Sequence, residues 1–454
     1  MINTPIYCAM LDSKGTNNEY IPAEHLLLLE DKLLKVYSGE IKRLIVSMPP
    51  RHGKSHLISE YLPFWWLLNR PNDQIIISSY SLELAEQWAM KSKLHFKDYS
   101  YLKNLEVGID RNNHWTIKNR KGSLTAVGVG GSITGKGANL FIIDDPVKNS
   151  DEAFSNVYRD KVYRWYQSTA FNRLEPNGSM IIVMTRWHHD DLVGRILASE
   201  TYADWHVVDF PAIATNDDVL NRKVGEALFP ERYNITELEK IKKSVGSYFF
   251  SAMYQQQPVD NEHQIFQKYW WKYYNEGEIK FDNVIQVWDT AFEKGKENDY
   301  SVCATWGWND DNFYLIDLFR DKLQFPELKV ASENQYDKHK PNVIYIEDAG
   351  SGKSLIQILR RESKLNVRGI APMDKVVRAH TTTPYIEAGR VFLPKNKSFL
   401  DDFLNEHNQF PAGKHDDIVD TTTMAFQVLS KMYKPTRINL ERKINNVIDN
   451  YKNY

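Results

Sequence analysis

The chain has 454 residues, 42% of them hydrophobic and 26% charged, which is enough for two or three domains with buried cores. A net charge of −2 leaves any polyanionic partner to local basic patches, and no apolar run approaches the ~18 residues of a membrane span. Two distant cysteines, Cys8 and Cys303, argue against a disulfide framework or a cysteine zinc site, and the N-terminus lacks the basic and apolar regions of a secretory signal.

From about residue 20 to 255, short apolar runs alternate with helical segments. Strands are expected at "RLIVSM" (43–48), "QIIISSY" (74–80), "NLFIID" (139–144), "SMIIVMT" (179–185) and "WHVVDF" (205–210). Near-continuous apolar runs suit the strands of a mostly parallel sheet covered on both faces by helices such as "SLELAEQWAMKSKLHF". The polar, aperiodic stretch beginning "YQQQPVDNEHQIF" reads as a linker over 256–275, closing a first domain at 1–255. Then come three close-set strands at 283–290, 301–308 and 312–320, a helix over 325–338, a strand over 342–348 and a helix over 354–362. That order is the one expected of an RNase H-like mixed sheet, and it assigns 276–432 to a second domain. The polar residues 433–454 read as a tail.

The segment "RLIVSMPPRHGKSHLISEY" (43–61) places Gly53-Lys54-Ser55 between a strand and a helix. In such a turn, backbone N–H groups wrap phosphate oxygens, the lysine reaches the outer phosphates, and the serine ligates Mg²⁺. The loop residues Pro50, Arg51, His52 and Gly53 complete the expected nucleotide contact. The usual pattern has glycine where this chain has Met48, and the prolines stiffen the loop instead. "NLFIIDDP" ends a later strand in two acids: Asp144 is positioned to hold Mg²⁺, and Asp145 to polarise an attacking water. A second Gly-Lys-Ser, in "EDAGSGKSL" (347–355), has no later strand ending in paired acids and reads as a turn into a helix.

Acids in the second half fall where a two-metal site needs them. Asp289 ends one strand, Glu347 ends another, and Asp416 and Asp417 open a late helix; Asp299 lies near the same group, and Asp420 shares the helix face. Carboxylates at adjacent strand ends hold two Mg²⁺ or Mn²⁺ ions that activate water for phosphodiester cleavage. His188, His189 and His415 have no closed zinc spacing and read as local hydrogen-bonding residues.

With both sites placed, the chain resembles the large terminase subunit of tailed bacteriophages. The resemblance rests on "GEIKRLIVSMPPRHGKS", "GVGGSITGKGANLFIIDDPVKN", "MTRWHHDDL", "WDTAFEKGKENDYS" and "HDDIVDTTTMAF", in the family's order over roughly 20–430. It implies a P-loop ATPase domain followed by an RNase H-like nuclease domain, with ATP, Mg²⁺ and two further Mg²⁺ or Mn²⁺ ions. It also implies that the first loop glycine is dispensable, that Arg51 adds a phosphate contact, and that Thr185 belongs to a motif coupling hydrolysis to DNA movement. Asp145 stands where many members carry glutamate. Asp289, Glu347 and Asp416 or Asp417 match the nuclease acids, while Lys375 and Arg378 face DNA phosphates. The implied setting is the bacterial host cytoplasm. The implied partners are double-stranded DNA, a small terminase subunit, the portal protein and further copies in a ring, with no membrane. Two other readings stay open: a DNA helicase or translocase without nuclease activity, and an inactive prophage assembly protein.

Overall fold

The structure, a computed structural model, describes residues 3–17, 19–133, 135–259, 264–290 and 300–432. It divides into two compact units, Met1–Asp260 and Asn261–Tyr454. Asp299 and the tail at 433–454 lie outside the described residues.

The first unit is built on β1 (Arg43–Ser47), β2 (Gln74–Ser79), β3 (Val107–Asp110), β4 (His114–Ile117), β5 (Ser123–Gly128), β6 (Ala138–Asp144), β7 (Leu174–Met184) and β8 (His206–Asp209). Their spatial order is β3-β4-β5-β2-β6-β7-β1-β8, parallel from β5 to β8, with β3 and β4 added antiparallel at one edge. Alternate residues of the inner strands feed two separate cores. Leu44, Val46, Leu140, Ile142, Ile181 and Val183 pack on one face, and Ile45, Phe141, Ile143, Met180 and Ile182 on the other. This two-sided burial is why the strands read as unbroken apolar runs. The strands β3 to β5 were not expected from sequence. β3 and β4 are four residues each and β3 is largely exposed, so the alternation of a half-buried strand has little length in which to register; β5 is buried, but serine, threonine and glycine interrupt its apolar residues.

The second unit holds β9 (Lys272–Tyr274), β10 (Asn283–Asp289), β11 (Ser301–Asn309), β12 (Asn312–Asp321), β13 (Val343–Glu347), β14 (Val367–Ile370) and β15 (Val391–Pro394), in the order β14-β13-β10-β11-β12-β15-β9. The meander β10-β11-β12 is antiparallel, and β13, β14, β15 and β9 join in parallel pairs, giving a mixed sheet. Helices Lys375–Glu387 and Asp417–Met432 cover one face, with Ile386, Met424 and Phe426 against Trp306 and Phe313. Leu328 and Leu355 from two other helices cover the opposite face.

Two expectations change here. The stretch read as linker includes residues of the second unit: Ile265, Phe266 and Trp271 are buried in its core, and Lys272–Tyr274 pairs with β15. Aromatic side chains in a polar run were the overlooked signal. The helix expected from 354 begins at Gly350. Among the described residues, no helix is long and apolar enough to cross a membrane.

Candidate functional site

In the first unit the loop at 48–55 follows the end of β1, and its two neighbours on that side of the sheet, β7 and then β6, end in Met184 and Asp144. The carboxyl ends of adjacent parallel strands are where ligands bind in open α/β sheets. Met48 shows how the loop dispenses with a glycine. Its amide donates to the Met184 carbonyl, 3.2 Å, so the chain is still strand-like there, and its side chain is fully buried in the core. The left-handed turns fall later, at Arg51 (φ +61°) and Gly53 (φ +97°). The positive φ favours glycine at 53, and a Cβ there would also crowd Leu26 Cδ2 at 3.1 Å.

Beyond the loop, a widened π-type turn His56–Tyr61 leads into the helix Leu62–Asn69. Ser55, just before this turn, and Ser59, within it, both donate to Asp144: Ser55 Oγ to Oδ1 at 2.9 Å and Ser59 Oγ to Oδ2 at 2.7 Å. Asp144 is buried. Burial first, then the neighbouring Asp145 carboxylate, push its carboxyl above the usual range, against the pull of Lys54 and the two serines. Lys54 Nζ lies 3.0 Å from Asp145 Oδ2 and donates to Thr185 Oγ1 at 2.8 Å. The Thr185 amide donates to Asp145 Oδ1 at 2.9 Å, and its hydroxyl to the Met48 carbonyl at 3.2 Å. Asp145 itself has φ +44°, which turns its side chain back across the strand ends.

The cleft over these residues holds about 820 Å³ and is lined by Pro50, Arg51, Gly53, Lys54, Ser55, Asp145 and Thr185. His52 does not line it. The ring is fully buried and turned inward, so this loop residue is not a side-chain contact for a ligand in the cleft. Ser59 was not anticipated; its place one helical turn after Ser55 was the available signal. His188 does make a local hydrogen bond, accepting at Nδ1 from the Asp190 amide.

In the second unit, Trp288 of β10 pairs with Ile346 of β13, so the next residues, Asp289 and Glu347, end neighbouring strands side by side. The helix Asp417–Met432 brings the other acids, and they divide. Asp420 is buried, and Lys375 Nζ lies 2.6 Å from its Oδ2. Asp416 is partly exposed and pairs with the same lysine at 2.8 Å. Asp417 faces Arg320 at 3.6 Å. Burial, then Asp420, Glu347 and Asp417, raise the Asp289 carboxyl well above its ordinary value, with Lys375 opposing. Asp420 therefore takes a more central place than Asp416, whereas the sequence points to Asp416 or Asp417 as the metal acid and puts Asp420 only on their helix face.

Arg378 was expected to face DNA phosphates. It is instead 1% exposed, ion-paired with Asp420 and, at 3.3 Å, with Glu347. Among the described residues, no group of three His, Cys, Asp or Glu side chains stands ready to hold a metal ion; the cations of Arg378 and Lys375 lie between the carboxylates. Glu406, also unanticipated, accepts from the Ile418 amide and so caps the helix that carries Asp420. The second Gly-Lys-Ser sequence is explained by packing. Ser351 Oγ donates to the Thr290 carbonyl at 2.8 Å, and a Cβ on Gly352 would lie 2.1 Å from the Glu347 carbonyl oxygen.

Comparison with known proteins bears on both units. Residues 45–272 match the family model of the T4likevirus-type terminase large subunit N-terminal region, and residues 286–429 match the terminase RNaseH-like domain. The large terminase of a thermophilic bacteriophage is 12% identical; the match covers 88% of this chain and 98% of that one, with a TM-score of 0.53. The same terminase solved in complex with ATP-gamma-S matches with equal identity and coverage and a TM-score of 0.50. No curated protein matches. At that identity the structural likeness speaks for the fold, an ATPase-type α/β unit followed by an RNase H-like unit. The family model spans just over half of the sequence by itself, and the chain belongs to the large terminase subunit family.

Proposed function

We propose that this chain is a viral DNA-packaging motor that couples ATP hydrolysis to translocation of double-stranded DNA into a prohead and cuts concatemeric DNA with its second unit. The observation that carries the reading is the convergence of Lys54, Ser55, Asp144, Asp145 and Thr185 at the ends of three adjacent parallel strands. The similar terminase solved in complex with ATP-gamma-S supports nucleotide binding by a chain of this fold.

In this reading Lys54 binds the outer phosphates, the backbone amides of Arg51 and Gly53 wrap them, and Pro50, which has no amide to give, lines the cleft. Ser55 and Asp144 would hold Mg²⁺. The fit is sound: a buried carboxylate whose oxygens meet hydroxyls offers the hard oxygen donors that ion prefers. Once bound, Mg²⁺ neutralises charge developing on the phosphates. Asp145 is tied to Lys54 and Thr185, so a proton taken from the attacking water passes to a carboxylate whose position reports on both. Thr185, touching the lysine, the carboxylate and the loop carbonyl, is the residue through which a change at the phosphates reaches the next strand.

Asp289, Glu347, Asp417 and Asp420, with the more exposed Asp416 and with Asp299 ten residues after Asp289, would hold two Mg²⁺ or Mn²⁺ ions. Their carboxylates are the correct donors, and Asp289 is already crowded by like charge. Two such ions supply an activated water and a stabilised leaving oxygen. Arg378 and Lys375 are ion-paired with these acids. The small terminase subunit, the portal and a ring of further copies, working in the host cytoplasm, complete the proposed setting.

The test separates the two activities on the full chain. Lys54→Ala is expected to abolish DNA-stimulated ATP hydrolysis while plasmid cutting in Mn²⁺ persists, and Asp289→Asn to do the reverse. Cutting that survives Asp289→Asn would leave a translocase without a nuclease. Hydrolysis that survives Lys54→Ala would remove the nucleotide site.

A further inference from the structure

His52 sits at the apex of the phosphate-binding loop, yet its ring faces the core. It is flanked by left-handed Arg51 and Gly53, and arginine holds that conformation only where its surroundings enforce it. The enforcing contacts are two imidazoles. His52 Nδ1 lies 2.8 Å from the Pro50 carbonyl, and His25 Nε2, from the helix Glu24–Ser38, lies 2.9 Å from the His52 carbonyl. A carbonyl oxygen only accepts, so the ring proton is on Nδ1 of His52 and on Nε2 of His25. Burial lowers both histidines to about 4, which leaves each ring neutral with one N–H to give. The rings are held in turn by aromatic neighbours: His52 stacks on Tyr233 at 5.0 Å, and His25 meets Phe229 edge-on at 5.2 Å.

The consequence follows from peptide geometry. In a planar trans peptide, C=O and N–H point in opposite directions. Drawing the Pro50 carbonyl inward turns the Arg51 amide outward, and drawing the His52 carbonyl inward does the same for Gly53. Both residues line the cleft. We infer that His25 and His52 are positioning residues that preset two amides of the phosphate-binding loop, doing with side chains what a more glycine-rich loop leaves to the bound phosphate. The inference rests on the nucleotide-binding reading of this cleft.

The two histidines use different ring nitrogens, so amide replacements separate a specific hydrogen bond from packing. Asparagine places an N–H where Nδ1 was, and glutamine places one where Nε2 was. Affinity of the full chain for ATP-gamma-S with Mg²⁺, measured by titration calorimetry, is expected to stay within about twofold of wild type in His52→Asn and to weaken about tenfold in His52→Gln. At position 25 the order reverses: His25→Gln is tolerated and His25→Asn weakens binding. KM for ATP rises with the lost bond, while kcat at saturating ATP changes little, because the preset amides act on binding. Equal loss for both amides at both positions, or no loss for any, overturns the inference and leaves the nucleotide site standing. A wild-type protein that binds no ATP-gamma-S overturns the underlying reading as well. Thermal unfolding of each variant shows that the comparison is made on folded protein.

Discussion

Replacing Asp420 with asparagine removes one anion from between two cations in the second unit. Arg378, 1% exposed, is then left with Glu347 at 3.3 Å as its remaining ion partner, and Lys375 with Asp416 at 2.8 Å. Removing one partner of a buried ion pair costs about 3–5 kcal/mol, because the other charge stays behind in a poorly solvated place. Two effects favour the lower figure: asparagine still accepts a hydrogen bond, and the neighbouring Asp289 is relieved of the largest of its like-charge repulsions. At about 2–4 °C per kcal/mol for a unit of this size, a loss of roughly 3 kcal/mol lowers its unfolding temperature by about 6–12 °C. Asp416→Asn is the control. Both members of its pair are substantially exposed, so the expected loss is about 0–1 kcal/mol. Calorimetric scans of the full chain in chelator compare the two without bound metal, and Mn²⁺-dependent plasmid cutting gives the second readout. Equal shifts in the two variants would refute the central placement of Asp420.

Three further outcomes are expected. Met48→Gly restores the common loop pattern but empties a fully buried position, so it should cost about 2–5 kcal/mol in thermal unfolding and weaken rather than improve ATP-gamma-S binding. His95 lies 2.8 Å from Asp12 and 3.0 Å from Glu60; burial lowers its pKa, but the two carboxylates outweigh it and raise it to about 9. Its contribution is fully present below the unfolded value of about 6.5 and is lost as pH rises through about 9, so the unfolding temperatures of wild type and His95→Asn should converge between those limits. Gly352→Ala forces a Cβ to within 2.1 Å of the Glu347 carbonyl oxygen, so the strand end must shift; DNA cutting should fall while ATP hydrolysis in the same preparation is unchanged.

Local sequence was sufficient for the inner strands and for the acids and loop attached to their ends. β1, β2, β6 and β7 are buried on both faces, and such burial leaves an unbroken apolar run visible without knowledge of the neighbours. The pairing of Ser55 with Asp144 was also legible, because a strand-loop-helix and a strand ending in acids each carry their own pattern. Packing across the fold decided the rest. Whether Asp416, Asp417 or Asp420 lies innermost depends on how its helix is rotated against β10 and β13, and a rotation set by Met424 and Phe426 in the core is not written in the acids themselves. Arg378 sounds like a surface contact in "DKVVRAH", yet the helix that carries it turns it between Glu347 and Asp420. His52 is inward because residues at 25, 229 and 233 build a cage for it. Composition and periodicity report on a residue's own segment; the direction of a side chain at a site depends on distant segments that supply its partners.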